Sequence, residues 1–408
     1  MFLSGRIVGW LEKCIYWQII FIPFVASFSS AAVNIFIGLL VFSVLLKSLV
    51  NRRINILESP LVLPFILLIL ISLVSFVHSI NIHSSIQGIF KLLKYGFLLL
   101  ICSSEIKDKE HIKKIIIASL LGLMLASLDG IYQLIFGVDF FRHKPYDSVI
   151  GLARLKAAFP HTNIFAGYLA LFLPLCTALF LWYTKKGKRL FLGFIFLAGL
   201  FCLISTFSRS AVFGFWLTLL LVGIAKRNKF IIGILIAVVL IAPFLASKGI
   251  RDWSKATSSV AEFLLNKERF VLYKTSFNMI KQHPVLGVGV NTYCLNYQKY
   301  RLHSSPQDTD TTMWYAHNSY LQMAAEVGFI GLLIFFYLLF RLFKDWRSFY
   351  VKVSDNFLKI SSLGILMGVS VFLIHGLTET NLYYPKIAVL FWFQVALLGR
   401  IIYSKKEG

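Results

Sequence analysis

The sequence predicts an all-α fold: a polytopic integral membrane protein of about 12 transmembrane helices, with a large extracytoplasmic loop carrying short amphipathic helices. Three observations predict it. The chain of 408 residues is 58% apolar, and its mean hydropathy is +0.77. Apolar stretches of about 17–25 residues recur along nearly its whole length, as bilayer crossing by helices requires. Basic residues gather in alternate connectors between them. The alternating strands of about 10 residues that a closed barrel needs are absent.

Spans are expected near 11–28, 31–47, 61–79, 86–103, 113–136, 161–183, 190–206, 210–225, 230–247, 318–340, 358–376 and 385–402. Charge justifies their order. Lys47/Arg52/Arg53, Lys107/Lys109/Lys113/Lys114, Lys185/Lys186/Lys188/Arg189, Lys226/Arg227/Lys229, Arg341/Lys344/Arg347 and Lys405/Lys406 fall on one side. Connectors 28–31 and 78–85 carry no Lys or Arg. The positive-inside rule then puts both termini in the cytoplasm. The first apolar run lacks a small-residue cleavage site and is followed at once by a second span, so it reads as a span and not a cleaved signal. The chain reads as one integral domain, 1–408, with outward loops at 137–160 and 248–317. The larger loop carries Lys248, Arg251, Lys255, Lys267, Arg269, Lys274, Lys281, Lys299 and Arg301. Long loops translocate regardless of charge, and a basic one calls for an anionic partner.

The net charge of +23 fits this topology and contact with anionic headgroups or phosphate substrates. No base-stacking or groove-reading module points to nucleic acid. Cys14, Cys102, Cys176, Cys202 and Cys294 are scattered, with neither a disulfide framework nor a CxxC metal pattern.

Several groups can carry chemistry. His317 stands where an apolar span begins, and a neutral imidazole there can accept a proton. The plainer role is helix entry, with Asn318 as cap. Gly328 and Gly331, three apart, read as a small-residue face for helix packing. Glu326 is an acid within the span, which is costly unless paired. Arg209, in the turn Ser205-Thr206-Phe207-Ser208-Arg209-Ser210, either reaches headgroups or grips phosphate with its planar fork. Arg269, beside Glu268, reads either as a solvated or paired arginine or as a phosphate ligand, and the amphipathic segment that follows it is expected to lie on the membrane surface. His283 to Tyr293 holds two glycines two apart, but lacks the third glycine of a dinucleotide fingerprint and reads as a bent loop. Asp308-Thr309-Asp310 resembles a divalent-ion pair but lies on the outward side; no metal site is expected. Lys91 and Lys94 sit one turn apart in the fourth span, as candidate phosphate contacts. His375 and Glu379 could pair or line the same cavity. Arg154, Lys156 and His161 complete the candidates.

Four segments carry a resemblance: FPHTNIFAGYLALFLPL at 159–175, STFSRSAVFGF at 205–215, RFVLYKTSFNMIKQHPVLGVGVNTY at 269–293 and AHNSYLQMAAEVGFIGLL at 316–333. The last fits a pattern of His, Asn, nine residues, Gly, two residues and Gly, met here by His317, Asn318, Gly328 and Gly331. Together they resemble the O-antigen ligase/polymerase superfamily of bacterial envelope glycosyltransferases over about 150–395. The third segment is common to the superfamily, and the fourth favours the ligases. His161 departs from the usual Pro-Asn before the sixth span.

The resemblance implies an enzyme of the bacterial inner (cytoplasmic) membrane whose site faces the periplasm. It uses no cofactor and no metal. The implied donor is an undecaprenyl-pyrophosphate-linked glycan, and the acceptor is a hydroxyl of lipid A–core. In a polymerase the acceptor is instead a lipid-linked glycan. His317 is implied as catalytic base, with Arg209 and Arg269 on the pyrophosphate. Asn318, Lys91, Lys94, Arg154 and Lys156 are further candidate substrate contacts. A polyprenyl-glycan flippase is the rival from another class; it would tolerate loss of His317 and release no undecaprenyl pyrophosphate.

Overall fold

The computed structural model describes residues 2–51, 59–149, 152–227, 229, 232, 233, 267–301 and 314–403. In chain order these form α1 (Phe2–Val25), α2 (Ser30–Asn51), α3 (Val62–Val74, extended by a 3-10 turn at Ser75–His78), α4 (Ile82–Glu105) and α5 (Lys109–Phe136). A small hairpin of β1 (Asp147–Val149) and β2 (Leu152–Arg154) follows. Next come α6 (Thr162–Trp182), α7 (Lys186–Ser205), α8 (Arg209–Ala225), α9 (Lys267–Gln282) and α10 (Tyr293–Tyr300). The chain closes with α11 (Ser319–Lys352), α12 (Asn356–His375), a 3-10 turn at Asn381–Tyr383 and α13 (Pro385–Tyr403).

Among the described residues, nine helices are long and apolar enough to cross a membrane, and α3 with its extension and α8 are shorter apolar helices. Eleven of the expected spans therefore have a helical counterpart. The ninth, 230–247, lies outside the described residues apart from 232 and 233. The chain is a multi-pass helical membrane protein.

Burial ranks the helices. In α6 and α13, 83% of the most apolar window is buried, against 22% in α2, so the former are central and the latter faces lipid. α6 packs closely on α12. A Cβ at Gly368 would stand 2.2 Å from the Leu171 carbonyl oxygen, so only glycine permits this approach.

Polar side chains fix the helix ends. Asn81 caps α4 by accepting from Ser84 N at 2.9 Å, and Asp108 caps α5 from His111 N at 2.8 Å. One end of the bundle gathers the basic connectors. There Lys47 pairs with Glu105 at 2.9 Å and Glu12 at 3.1 Å, Lys107 with Glu12 at 2.8 Å, and Lys109 with Asp355 at 2.6 Å.

The other end holds the loops. Gln133 in α5 reaches up to accept from Lys156 N and Ala157 N, each at 3.0 Å, and donates to the Lys144 carbonyl at 3.0 Å. Asp129 accepts from Phe140 N at 2.7 Å. The loop at 137–160 is thus tied down from inside the bundle, and its hairpin joins α7 through Leu155 N to the Ser205 carbonyl at 3.0 Å.

Gly328 corrects the packing role expected for it. Its φ of +70° breaks α11, and a Cβ there would lie 1.9 Å from the Val285 carbonyl oxygen. The segment 284–289 threads into this kink. Phe329 N donates to the Pro284 carbonyl at 2.8 Å, Val288 N to Ala325 at 2.8 Å, and Gly289 N to Glu326 at 3.0 Å. Backbone groups released by the kink find partners in the loop, as burial demands. The bent loop expected at 283–293 is therefore docked inside a broken membrane helix.

Candidate active site

The loop end converges on Glu379, which is 2% exposed. Its Oε1 accepts from Arg269 Nη2 at 2.6 Å and from Asn163 Nδ2 at 2.6 Å. Its Oε2 meets His317 Nδ1 at 3.1 Å. Three elements far apart in sequence supply these groups: the first turn of α9, the first turn of α6 and the approach to α11. Burial opposes the charge on Glu379; the hydrogen bond from His317 and the positive groups around it hold its carboxyl below the usual range nonetheless.

The approach to α11 is strained. His317 has a φ of +47°, a left-handed conformation that side chains other than glycine rarely adopt. Neighbours enforce it. Asn318 Oδ1 accepts from Tyr320 N and Leu321 N, both at 2.9 Å, and its Nδ2 donates to the Leu377 carbonyl at 2.8 Å. Ser319 donates twice to the facing segment, from N to the Gly376 carbonyl and from Oγ to the Glu379 carbonyl, each at 2.8 Å. Asn318 is thus a cap and a strap, with both polar side-chain atoms engaged by backbone.

A carboxylate only accepts, so Nδ1 of His317 carries the proton shared with Glu379. In the neutral tautomer that this contact favours, the lone pair falls on Nε2. An imidazole oriented in this way by an acid can take a proton through its far nitrogen.

The turn between α7 and α8 brings arginine to the same place. Phe207 is left-handed at φ +53°, and Arg209 opens α8. Arg154 donates from Nε to the Thr206 carbonyl at 3.1 Å and from Nη2 to Asn163 Oδ1 at 3.5 Å. The charges of Arg269 and Arg154 both bear on Arg209. Burial, opposed by Asp147 and Glu379 and reinforced by Arg269, leaves Arg154 with a lowered pKa. Arg269 binds the buried carboxylate directly, the charge of Arg154 acts on it, and Arg209 lies near enough for the three guanidinium groups to act on one another, a grouping of the kind that can grip a polyanion.

His375 does not pair with Glu379. Fully buried, it accepts at Nδ1 from Asn381 Nδ2 at 2.8 Å, leaving Nε2 to donate to Ser208 Oγ at 3.1 Å. It locks the 205–210 turn to the 375–381 segment, as does the Thr378 hydroxyl donating to Ser210 Oγ at 2.6 Å.

Other sequence candidates lie elsewhere. Lys156 forms an ion pair with Asp147 of the hairpin. Lys94 turns toward α2, reaching Asn34 Oδ1 at 3.4 Å, and so parts from Lys91, which meets Asn291 Oδ1 at 2.8 Å. His161 precedes α6 as an exposed residue. Asp308 and Asp310 lie outside the described residues. Asn163 was not singled out by sequence, and no local signal marks it; its partner Glu379 is 216 residues away.

A family model described as O-antigen ligase matches residues 194–336. That segment contains Arg209, Arg269, His317, Asn318, Gly328 and Gly331. Asn163 and Glu379 lie outside it. No curated protein matches the chain.

Proposed function

We propose that this chain, whose segment 194–336 belongs to the O-antigen ligase/polymerase superfamily, is a membrane glycosyltransferase of the ligase type. It moves a glycan from undecaprenyl pyrophosphate to a hydroxyl of lipid A–core. The enzyme resides in the bacterial inner membrane with both termini cytoplasmic and the Glu379 cluster facing the periplasm.

The geometry supports the following reaction. The acceptor hydroxyl attacks the anomeric carbon, and its proton passes to Nε2 of His317. Glu379, hydrogen-bonded to Nδ1 at 3.1 Å, orients the ring and stabilises the imidazolium that forms. As the glycosidic carbon–oxygen bond to phosphate breaks, charge builds on the departing undecaprenyl pyrophosphate. Arg209, Arg269 and Arg154 are set to receive it, and fixed cations in a partly dry site do so without reorganising. The new bond forms on the face opposite the leaving group, so the anomeric configuration inverts. The chain's own groups supply base and counter-charge, and the proposal needs neither cofactor nor metal ion.

The observation that carries this reading is one buried carboxylate joining an imidazole to a guanidinium. A polymerase would use the same groups with a lipid-linked glycan as acceptor; the acceptor alone separates the two. The deciding experiment is complementation of a ligase-null bacterium whose core the enzyme accepts, read by lipopolysaccharide gel and analysis of lipid-linked glycan. Wild type restores a ladder on lipid A–core, while His317→Ala leaves long glycan on the carrier. Restoration only in a polymerase-null host would assign the polymerase reaction. Wild-type transfer by His317→Ala at equal protein level would sink the base assignment.

A further inference from the structure

We infer that Asn163 is a positioning residue for the transfer reaction: its side-chain amide stands between Arg154 and Glu379, steadying the carboxylate that faces His317 and keeping the Arg154 guanidinium from closing on it. This rests on the reaction proposed above and adds to it a residue that acts through Glu379 and Arg154.

Residue type makes the bridge. A guanidinium only donates and a carboxylate only accepts. A side-chain amide carries one acceptor and one donor group on a single planar unit, and so fits between them in one orientation. Asn163 Oδ1 accepts from Arg154 Nη2 at 3.5 Å, and its Nδ2 donates to Glu379 Oε1 at 2.6 Å. The reversed amide would set its oxygen against the carboxylate and its hydrogens against the guanidinium. Both sides of the bridge are anchored. Asn163 stands in the first turn of the central span α6, and Arg154 is held through Nε to the Thr206 carbonyl at 3.1 Å.

The amide governs charge in two ways. Glu379 Oε1 takes hydrogen bonds from Asn163 and Arg269, which leaves Oε2 turned to His317 Nδ1 at 3.1 Å. The charges of Glu379 and Arg154 attract across the amide. With no amide between them, the guanidinium would be free to pair with the carboxylate and would be lost to phosphate. A carboxylate at 163 would claim Arg154 and also add a second negative charge beside Glu379. The other charged and titratable groups that bear on Glu379 are Arg269, His317, His375, Tyr273 and Tyr384, none of which is a second carboxylate.

The test reads the proton affinity of His317 directly. Diethyl pyrocarbonate acylates neutral imidazole, and the His317 side chain, 27% exposed, is open to it. The rate of His317 modification against pH, mapped by peptide mass spectrometry on the full-length protein in detergent, gives the titration midpoint. Asn163→Asp should raise that midpoint by about one unit, because an added negative charge favours the imidazolium. The acid limb of the transfer rate should move up with it. Asn163→Ala should lower kcat about tenfold, the weight of one hydrogen bond to a charged group, and raise the donor KM as Arg154 closes on Glu379. Asn163→Asp keeps the size of the side chain, so it reads the charge even where Asn163→Ala unfolds. Either an unmoved midpoint in Asn163→Asp or an unchanged kcat in Asn163→Ala would overturn the assignment. The titration needs no turnover. A shifted midpoint in Asn163→Asp, with no transfer by the wild type, would sink the proposed reaction and leave the placement of Asn163 standing.

Discussion

Nδ1 of His317 and Oε2 of Glu379 lie 3.1 Å apart although 62 residues separate them in sequence. The histidine is held in a left-handed backbone conformation beside the acid, and the acid is otherwise occupied by Arg269 and Asn163. A surface histidine capping a helix would need none of this. The pairing orients the imidazole, which is what the base role proposed for His317 requires.

Glu379→Gln keeps the shape and removes the charge. Transfer should fall by about 10²-fold or more, since base catalysis is worth about 10²–10⁴ and depends on ring orientation and on the imidazolium having a counter-charge. The rate in purified protein, with donor and acceptor varied separately, checks this; the loss should appear in kcat. A change confined to KM would mean that Glu379 serves only to hold substrate.

Acid should loosen the loop end. Glu379 has a folded pKa below its ordinary value of 4.5. Its contribution to stability is therefore complete above about pH 4.5 and is lost as pH falls through the lower folded value. Thermal unfolding in detergent, followed from pH 7 to 3, should show a drop in that acid window that is smaller in Glu379→Gln. Equal drops in both proteins would remove the carboxylate from the account.

Gly328→Ala should destabilise the fold by more than about 2 kcal/mol, because alanine pays for the left-handed conformation and its methyl meets the Val285 carbonyl. Reduced membrane yield and a lower melting temperature are the readouts. Gly331→Ala would clash with the Val327 side chain, at 2.4 Å from its Cγ2 and 2.9 Å from its Cβ, but carries no positive φ and no clash with backbone, and should cost less.

Arg154 and Lys156, two residues apart, should behave differently. Arg154→Lys keeps the charge but loses the fork that holds the 205–210 turn, and should raise the donor KM about tenfold. Lys156→Met removes an ion pair with a partly exposed partner, worth about 0–1 kcal/mol, and should leave transfer within about threefold of wild type. Equal losses would mean that both contact the donor.

Much of this was legible in the sequence because hydrophobic length and basic connectors are local signals. The described spans fell near their expected places, and His317, Arg209 and Arg269 stood out by residue type in the segments that carried the resemblance. What the sequence hid is long-range pairing. Asn163 looks like any polar residue in a helix's first turn until Glu379 is placed beside it. Gly328 satisfied a spacing that fits helix packing equally well; only its φ and the threaded loop reveal the kink. Lys91 and Lys94 share a helical face by count, yet their long side chains leave it in different directions.

The threaded kink also bears on timing. With 284–289 stitched into α11, the far end of α9 is pinned, while its Arg269 end is held to Glu379 by an ion pair. The carboxylate offers the guanidinium the same two-oxygen partner that a phosphate would. A pyrophosphate bound in the proposed reaction would compete for the guanidinium and, on winning it, leave Glu379 to His317 and Asn163. In the proposed reaction the acid would thus begin shared among Arg269, Asn163 and His317, and donor binding would draw the arginine away as the acceptor proton reaches the imidazole.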